Sequence, residues 1–178
     1  CKGEDKRGKI PDTTPISKRP AGAENRTRFG HWESDTVLGM RKTGCFGTHV
    51  ERKSGYLVAF RINDRQDKAF NIATIKAFSA IPDKLKKSFT VDNGKEFAHK
   101  ELSEATGMNV YFCDPYSPWQ RGTNENTNGL LRQFFPKGTS FADVTDEDLQ
   151  HFVDMINNRP RKRLNFLTPF EVLKKFFL

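Results

Sequence analysis

Cysteine is scarce in this sequence: Cys1, Cys45 and Cys113 are odd in number and form no C-x-x-C pair. That argues against a disulfide framework and against a zinc site built on cysteines, and leaves Cys45 and Cys113 as small apolar residues. No stretch approaches the roughly 18 consecutive apolar residues that a membrane span requires. The opening Cys1-Lys2-Gly3-Glu4-Asp5 carries no apolar signal-peptide segment, so an intracellular protein with no membrane partner is expected. His31, His49, His99 and His151 are scattered without H-x-x-x-H spacing, and neither G-x-S-x-G nor G-x-x-x-x-G-K-[ST] occurs. The first residue is not methionine, as expected of a fragment of something longer.

What is present in quantity is positive charge. Thirty Lys and Arg against 22 Asp and Glu leave a formal charge of +8 and a pI near 9.5, a balance that favours a polyanionic partner such as nucleic acid. With 178 residues, 35% of them hydrophobic, and a mean hydropathy of -0.71, the chain has the size of one domain able to bury a core.

Residues 1–28 hold eight basic residues against four acidic ones, with Pro11, Pro15 and Pro20, and read as a basic linker or arm. From residue 29 the periodicity changes. His31 to Leu38, Gly47 to Glu51 and Tyr56 to Ile62 are short segments rich in β-formers, as in a three-stranded antiparallel meander. Phe70, Ala73, Thr74, Ala77, Phe78 and Ile81 share one helical face that ends near Pro82. A strand over Ser88 to Asp92, a helix from about Phe97 to Thr106 and a strand over Asn109 to Cys113 complete the order βββαβαβ. Thr145 with Asp148, and Thr168-Pro169-Phe170-Glu171, mark the starts of two further helices.

Three acids stand at or within these elements. Asp35 sits mid-strand, where Asp is depleted, although a polar residue on an exposed strand face is also common. Asp92 precedes Asn93-Gly94, an ordinary turn signal that here joins a strand to a helix. It therefore lies at a strand's carboxyl end, where α/β sheets gather their sites. Glu125 falls opposite the apolar arc of Leu130, Leu131, Phe134 and Phe135 at about 100° per residue, with Asn128 and Arg132 within about 60° of it; a solvated helix face is the plain alternative. Grouped, the three carboxylates suit hard, oxygen-seeking Mg²⁺. Two such ions can activate the attacking oxygen and stabilise the leaving oxygen of an in-line phosphoryl displacement.

Between the fifth strand and Glu125 runs Asp114-Pro115-Tyr116-Ser117-Pro118-Trp119-Gln120-Arg121-Gly122. Its aromatics either stack on bases or tuck onto the core, and Arg121 suits a phosphate. The run Arg159-Pro160-Arg161-Lys162-Arg163 is either a solvated helix end or a phosphate contact.

These stretches resemble the catalytic core of DDE transposases of the bacterial insertion-sequence-thirty (IS-thirty) family, which is related to the retroviral integrase core. The resemblance is carried by Gly30-His31-Trp32-Glu33-Ser34-Asp35-Thr36-Val37, Val50-Glu51-Arg52-Lys53-Ser54, Thr90-Val91-Asp92-Asn93-Gly94-Lys95-Glu96-Phe97, Asp114 through Gln133, and Asn157 to Glu171. The 33 positions from Asp92 to Glu125 match the family's spacing. It implies a ribonuclease H-like α/β fold, a five-stranded mixed sheet flanked by helices, formed by a core domain over residues 29–178. It further implies that Asp35, Asp92 and Glu125 are catalytic and bind two Mg²⁺ or Mn²⁺ ions, with hydrolysis at a transposon end followed by attack of the freed 3′-hydroxyl on target DNA.

Nucleic-acid contacts are expected from Lys95, Tyr116, Trp119, Gln120, Arg121, Asn124, Asn128, Arg132, Arg161, Lys162 and Arg163, with Asn126 beside them; Asn124, Asn128 and Arg132 are expected either to touch DNA or to order the site. The implied partners are DNA, both transposon ends and target, and further copies of the chain in a homo-oligomeric synaptic complex, in the bacterial cytoplasm at the nucleoid. The family's N-terminal helix-turn-helix region, which reads the element's ends, has no counterpart before residue 29. A DNA-binding or oligomerisation module without catalysis, and a nuclease on the same fold, are the alternatives.

Overall fold

The computed structural model describes residues 12–63, 67–92 and 99–177. Strands β1 (Thr14–Pro15), β2 (His31–Leu38), β3 (Cys45–Glu51), β4 (Leu57–Ile62), β5 (Ser88–Val91) and β6 (Asn109–Phe112) form one mixed sheet in the order β1-β6-β5-β2-β3-β4. The meander β2-β3-β4 is antiparallel, while β5 lies parallel to β2 and to β6. Parallel pairing demands a crossover, supplied by α2 (Asp67–Ser79) before β5 and α3 (His99–Thr106) before β6. Helices α4 (Gly122–Phe134), α5 (Asp146–Asn157) and α6 (Pro169–Lys175) follow. The five long strands and their order agree with the βββαβαβ reading.

Two apolar clusters show why the sheet is buried on both sides. Trp32, Phe70, Phe78, Phe89 and Leu102 pack together in one, with Trp32 edge-on to Phe78. Val37, Phe46, Val50, Leu131, Leu149, Val153 and Ile156 form the other. Strand alternation assigns the faces: Trp32 and His49 look toward α2, while Glu33, Asp35 and Val37 look toward α4. Central strand β3 is consequently buried along its whole length. Gly47 is required there, because a Cβ would come within 2.2 Å of the Phe60 ring. Both expected capping boxes form, at Thr145 with Asp148 and at Thr168 with Glu171.

The described part of the N-terminal segment departs from the linker or arm expected over residues 1–28. Thr14 and Pro15 pair with Tyr111 and Phe112 as a sixth strand, and the short helix α1 (Ala21–Glu24) follows. Ile16, Arg19 and Ala23 are buried, and Arg19 donates to Thr90 Oγ1 on β5 at 3.2 Å. The physical reason is the open edge of β6, whose backbone groups need a partner; a two-residue strand is enough, and Pro is tolerated at such an edge.

Candidate active site

The parallel register of β2 and β5 sets Glu33 opposite Thr90. Two residues further along each chain come Asp35 and Asp92, on the same face by alternation, with Asp92 one step past the carboxyl end of β5. The two acids are thus brought together from positions far apart in sequence. Asp35 is 29% exposed and Asp92 50%.

Between them lies Arg121, the residue before α4. Its Nη1 stands 3.2 Å from Asp35 Oδ1 and donates to Ser34 O at 3.2 Å, and its Nη2 stands 3.5 Å from Asp92 Oδ2. Burial acts to lower the pKa of Arg121, but the two carboxylates outweigh it and hold the value above the ordinary one.

Helix α4 is fastened to β2 rung by rung. Asn124 N donates to Glu33 Oε2 at 2.7 Å and Asn124 Nδ2 to Glu33 O at 2.8 Å. One turn on, Asn128 Nδ2 donates to Asp35 Oδ2 at 3.2 Å. Leu131 then joins the cluster that contains Val37. Thr48, opposite Asp35 on β3, donates to Asn128 Oδ1 at 3.1 Å. Glu33 is fully buried and ion-paired with Arg52. Neither Glu33, Arg52 nor Thr48 was singled out from sequence. The available signal was an acid two residues before Asp35, which alternation puts on the same face.

Glu125 occupies the first turn of α4 and is exposed. It lies three residues before Asn128, about 60° away around the helix. Among the described residues no group of three or more His, Cys, Asp or Glu side chains is gathered so as to hold a metal ion. The structure therefore brings Asp35 and Asp92 together and leaves Glu125 on the flanking helix.

Of the residues expected either to touch DNA or to order the site, Asn124 is placed for the ordering role. It is 0% exposed, so it cannot touch DNA, and it orders the site through Glu33. Asn128 is half-buried and engaged with Asp35 and Thr48. Gln120 closes the loop on itself, donating through Nε2 to Asp114 Oδ2 and accepting from Asp114 N, both at 2.8 Å. Tyr116 and Trp119 are 78% and 72% exposed, which removes the alternative that they tuck onto the core. Arg132 donates to Leu38 O at 2.8 Å, Arg161 to Ile156 O at 2.9 Å and Arg163 to Lys53 O at 3.3 Å. Lys162 and Asn126 are exposed, and Lys95 lies outside the described residues. Cys45 and Cys113 are buried, and burial pushes the Cys113 thiol up to about 11, so it is no nucleophile at neutral pH.

Divalent cations fit the Asp35 and Asp92 pair on the chemistry of its donors. Both carboxylates are partly exposed, at 29% and 50%, and the geometry already places one positive group between them.

Residues 25–118, just over half of the chain, match the integrase core domain family. The chain belongs to that family. It is 46% identical over 175 residues to the transposase InsI for insertion sequence element IS30C of Escherichia coli K12, covering 98% of this chain and 45% of that one. It is 43% identical over 173 residues to the transposase for insertion sequence element IS1086 of Cupriavidus metallidurans, covering 97% and 51%. The transposase for IS4351 of Bacteroides fragilis shares 40% over 171 residues, covering 95% and 52%. This integrase core domain thus spans about half the length of the curated relatives it matches. Among solved structures it resembles a chain of the simian T-cell lymphotropic virus intasome in complex with PP2A regulatory subunit B56 gamma. The TM-score is 0.59 at 22% identity, over 73% of this chain and 49% of that one, a likeness of fold alone. The fold is ribonuclease H-like. No helix among the described residues is long and apolar enough to cross a membrane.

Proposed function

We propose that this chain is the catalytic core of a DDE transposase of the IS30 family that cuts DNA and joins the cut end to a target, using Asp35, Asp92 and Glu125 with two Mg²⁺ or Mn²⁺ ions. The observation that carries this reading is the meeting of Asp35, within β2, and Asp92, just past the end of β5, around a single positive group. Each step exchanges one P–O bond for another. Water displaces the 3′-oxygen at the transposon end, and the freed 3′-hydroxyl then displaces a 3′-oxygen of the target strand. Cations held by the carboxylates would stabilise charge on the attacking and leaving oxygens.

The chain's own residues do the positioning. Asn128 orients Asp35, and Glu33 holds the start of the helix that carries Glu125. Exposed Tyr116 and Trp119 offer stacking surfaces, and Arg121, Arg132, Arg161, Lys162 and Arg163 add positive charge for phosphates. Joining two ends to one target calls for more than one copy of the chain, working on chromosomal DNA in the bacterial cytoplasm.

The test is a Mn²⁺-dependent reversal of strand transfer on a branched DNA oligonucleotide. The chain should resolve the branch, and Asp92→Asn and Glu125→Gln should abolish resolution while keeping their folded circular-dichroism spectra. Full activity in either variant would sink the assignment. Cut products with no joined ones would replace it with a nuclease.

A further inference from the structure

The Arg121 guanidinium sits between the two carboxylates that would hold a divalent cation. Its two terminal nitrogens reach one carboxylate oxygen each, at 3.2 Å on Asp35 and 3.5 Å on Asp92. The bond to Ser34 O fixes the fork in place, and the side chain is only 15% exposed. Two carboxylates on neighbouring strands are an arrangement that like charges disfavour, and Arg121 offsets it. A guanidinium keeps its charge at every working pH, so Arg121 neutralises the pair permanently while it stays there. A cation that used the same oxygens would compete with Arg121 for them. Cation entry and the Arg121 contacts are therefore mutually exclusive at Asp35 Oδ1 and Asp92 Oδ2.

Arg121 also stands where it can leave without disturbing the fold. It ends a short 3₁₀ turn, Pro118–Arg121, and precedes Gly122, the first residue of α4. Its neighbours Tyr116 and Trp119 are exposed. The long side chain can swing away from the carboxylates while the helix start stays fixed through Asn124 and Glu33.

We infer that Arg121 is an internal counter-ion that keeps the Asp35 and Asp92 pair closed to divalent cations until a DNA phosphate draws its guanidinium away. The inference rests on the metal-dependent reading above. Its consequence is coupling between two ligands. A cation binds with an affinity reduced by the fraction of chains in which Arg121 is engaged. DNA that recruits Arg121 raises cation affinity, and cations raise DNA affinity by the same factor.

The experiment is a Mn²⁺ titration followed by the electron paramagnetic resonance signal of the free ion. It compares the wild-type chain with Arg121→Gln, Asp92→Asn and Lys137→Gln, without DNA and with an oligonucleotide duplex ended in dideoxynucleotides. Arg121→Gln is expected to bind Mn²⁺ about ten-fold tighter than wild type without DNA, the factor that a latch closed in about nine chains of ten would impose. Lys137→Gln removes the same charge from an exposed position just past α4, and is expected to stay within about two-fold of wild type, since screening weakens distant exposed charges. DNA should tighten Mn²⁺ binding in the wild type and do so much less in Arg121→Gln. Equal or weaker Mn²⁺ binding by Arg121→Gln would overturn the counter-ion role. Binding by Asp92→Asn as tight as wild type, or none by any chain, would instead overturn the metal site itself.

Discussion

The carboxylate of Glu33 accepts the backbone N–H of Asn124 at 2.7 Å, and the Asn124 side chain returns a hydrogen bond to the Glu33 carbonyl at 2.8 Å. A strand residue thereby caps a helix 91 positions away. Arg121, which precedes α4, supplies no side-chain cap, and a carboxylate is the group a helix N-terminus favours. Two residues beyond Glu33 lies Asp35, and one residue beyond Asn124 lies Glu125. The distance between two candidate catalytic acids is therefore set by a reciprocal pair of hydrogen bonds adjacent to both.

This cap depends on a buried ion pair, so removing one member should be costly. Glu33→Ala leaves Arg52, itself 5% exposed, as an uncompensated buried cation, and a loss of about 3 to 5 kcal/mol is expected. Denaturant unfolding measures it. Replacing both partners, as Glu33→Leu with Arg52→Met, should recover much of that loss while keeping a deficit of about 1 to 3 kcal/mol, because Asn124 N–H still lacks its acceptor. A Glu33→Ala chain as stable as wild type would remove the pair from any structural role.

Asn128 touches Asp35 without being positioned to react. Asn128→Ala removes the donor to Asp35 Oδ2 and the acceptor for Thr48. A fall of about 10-fold to 100-fold in the turnover of branch resolution is expected, in line with other partners that orient metal ligands. Apparent DNA affinity should hold within about two-fold, since the lost bond is internal to the site. A variant that loses DNA affinity and keeps its turnover would make Asn128 a DNA contact.

How much of this was legible in sequence follows from the range of each interaction. Strand alternation and capping boxes are local patterns, and the strands from His31 onward and the caps at Thr145 and Thr168 were readable for that reason. Asp35 and Asp92 stood out because Asp is unusual in a strand and at a strand's end before a helix. The strand at Thr14–Pro15 was missed because prolines and charge mask a pairing that only an exposed edge elsewhere in the chain calls for. Helical arithmetic places Asn124 about 260° from Glu125, inside the arc of Leu131 and Phe135, which fits its ordering role better than a DNA contact. That face is buried throughout, at Thr123, Asn124, Thr127 and Leu131. Its first turns are polar because they meet Glu33 and Thr48 rather than an apolar surface, which no count of apolar residues reveals.

His31 supplies a pH dependence of stability. It is buried against Ser88 Oγ at 2.7 Å, and burial, aided by the positive charges of Lys87, Arg19 and Arg52, lowers its pKa to about 4 from an ordinary value of 6.5. A depressed folded-state value means that His31 favours the fold fully above pH 6.5, and that this contribution is lost as pH falls toward 4, up to roughly 3 kcal/mol in all. Glu51 acts in the opposite sense, since burial raises its pKa and its carboxylate is tolerated less well as pH rises. Comparing wild type with His31→Gln isolates the histidine. The wild type should lose more stability than the variant between pH 6.5 and 4.5, and parallel curves would show that His31 does not titrate as described.

Trp119 allows the stacking surface to be tested separately from the fold. The sequence has two tryptophans. Trp32 is fully buried with its indole N–H on Leu85 O at 2.8 Å, whereas Trp119 is exposed. Acrylamide should quench Trp119 fluorescence in the free chain, and single-stranded DNA should shield it. Trp119→Ala is expected to leave stability within about 0.5 kcal/mol, as surface changes do, and to weaken single-strand binding by about 1 to 3 kcal/mol. Tyr116 sharpens the test because its backbone is left-handed, at φ 57°, a conformation that costs a residue bearing a Cβ roughly 1 to 2 kcal/mol. Tyr116→Gly should relieve that strain while removing the ring, so stability rises as DNA affinity falls, whereas Tyr116→Ala keeps the strain and loses only the affinity. Stability and binding that fall together in both Tyr116 variants would show the ring to be a fold contact rather than a platform for bases.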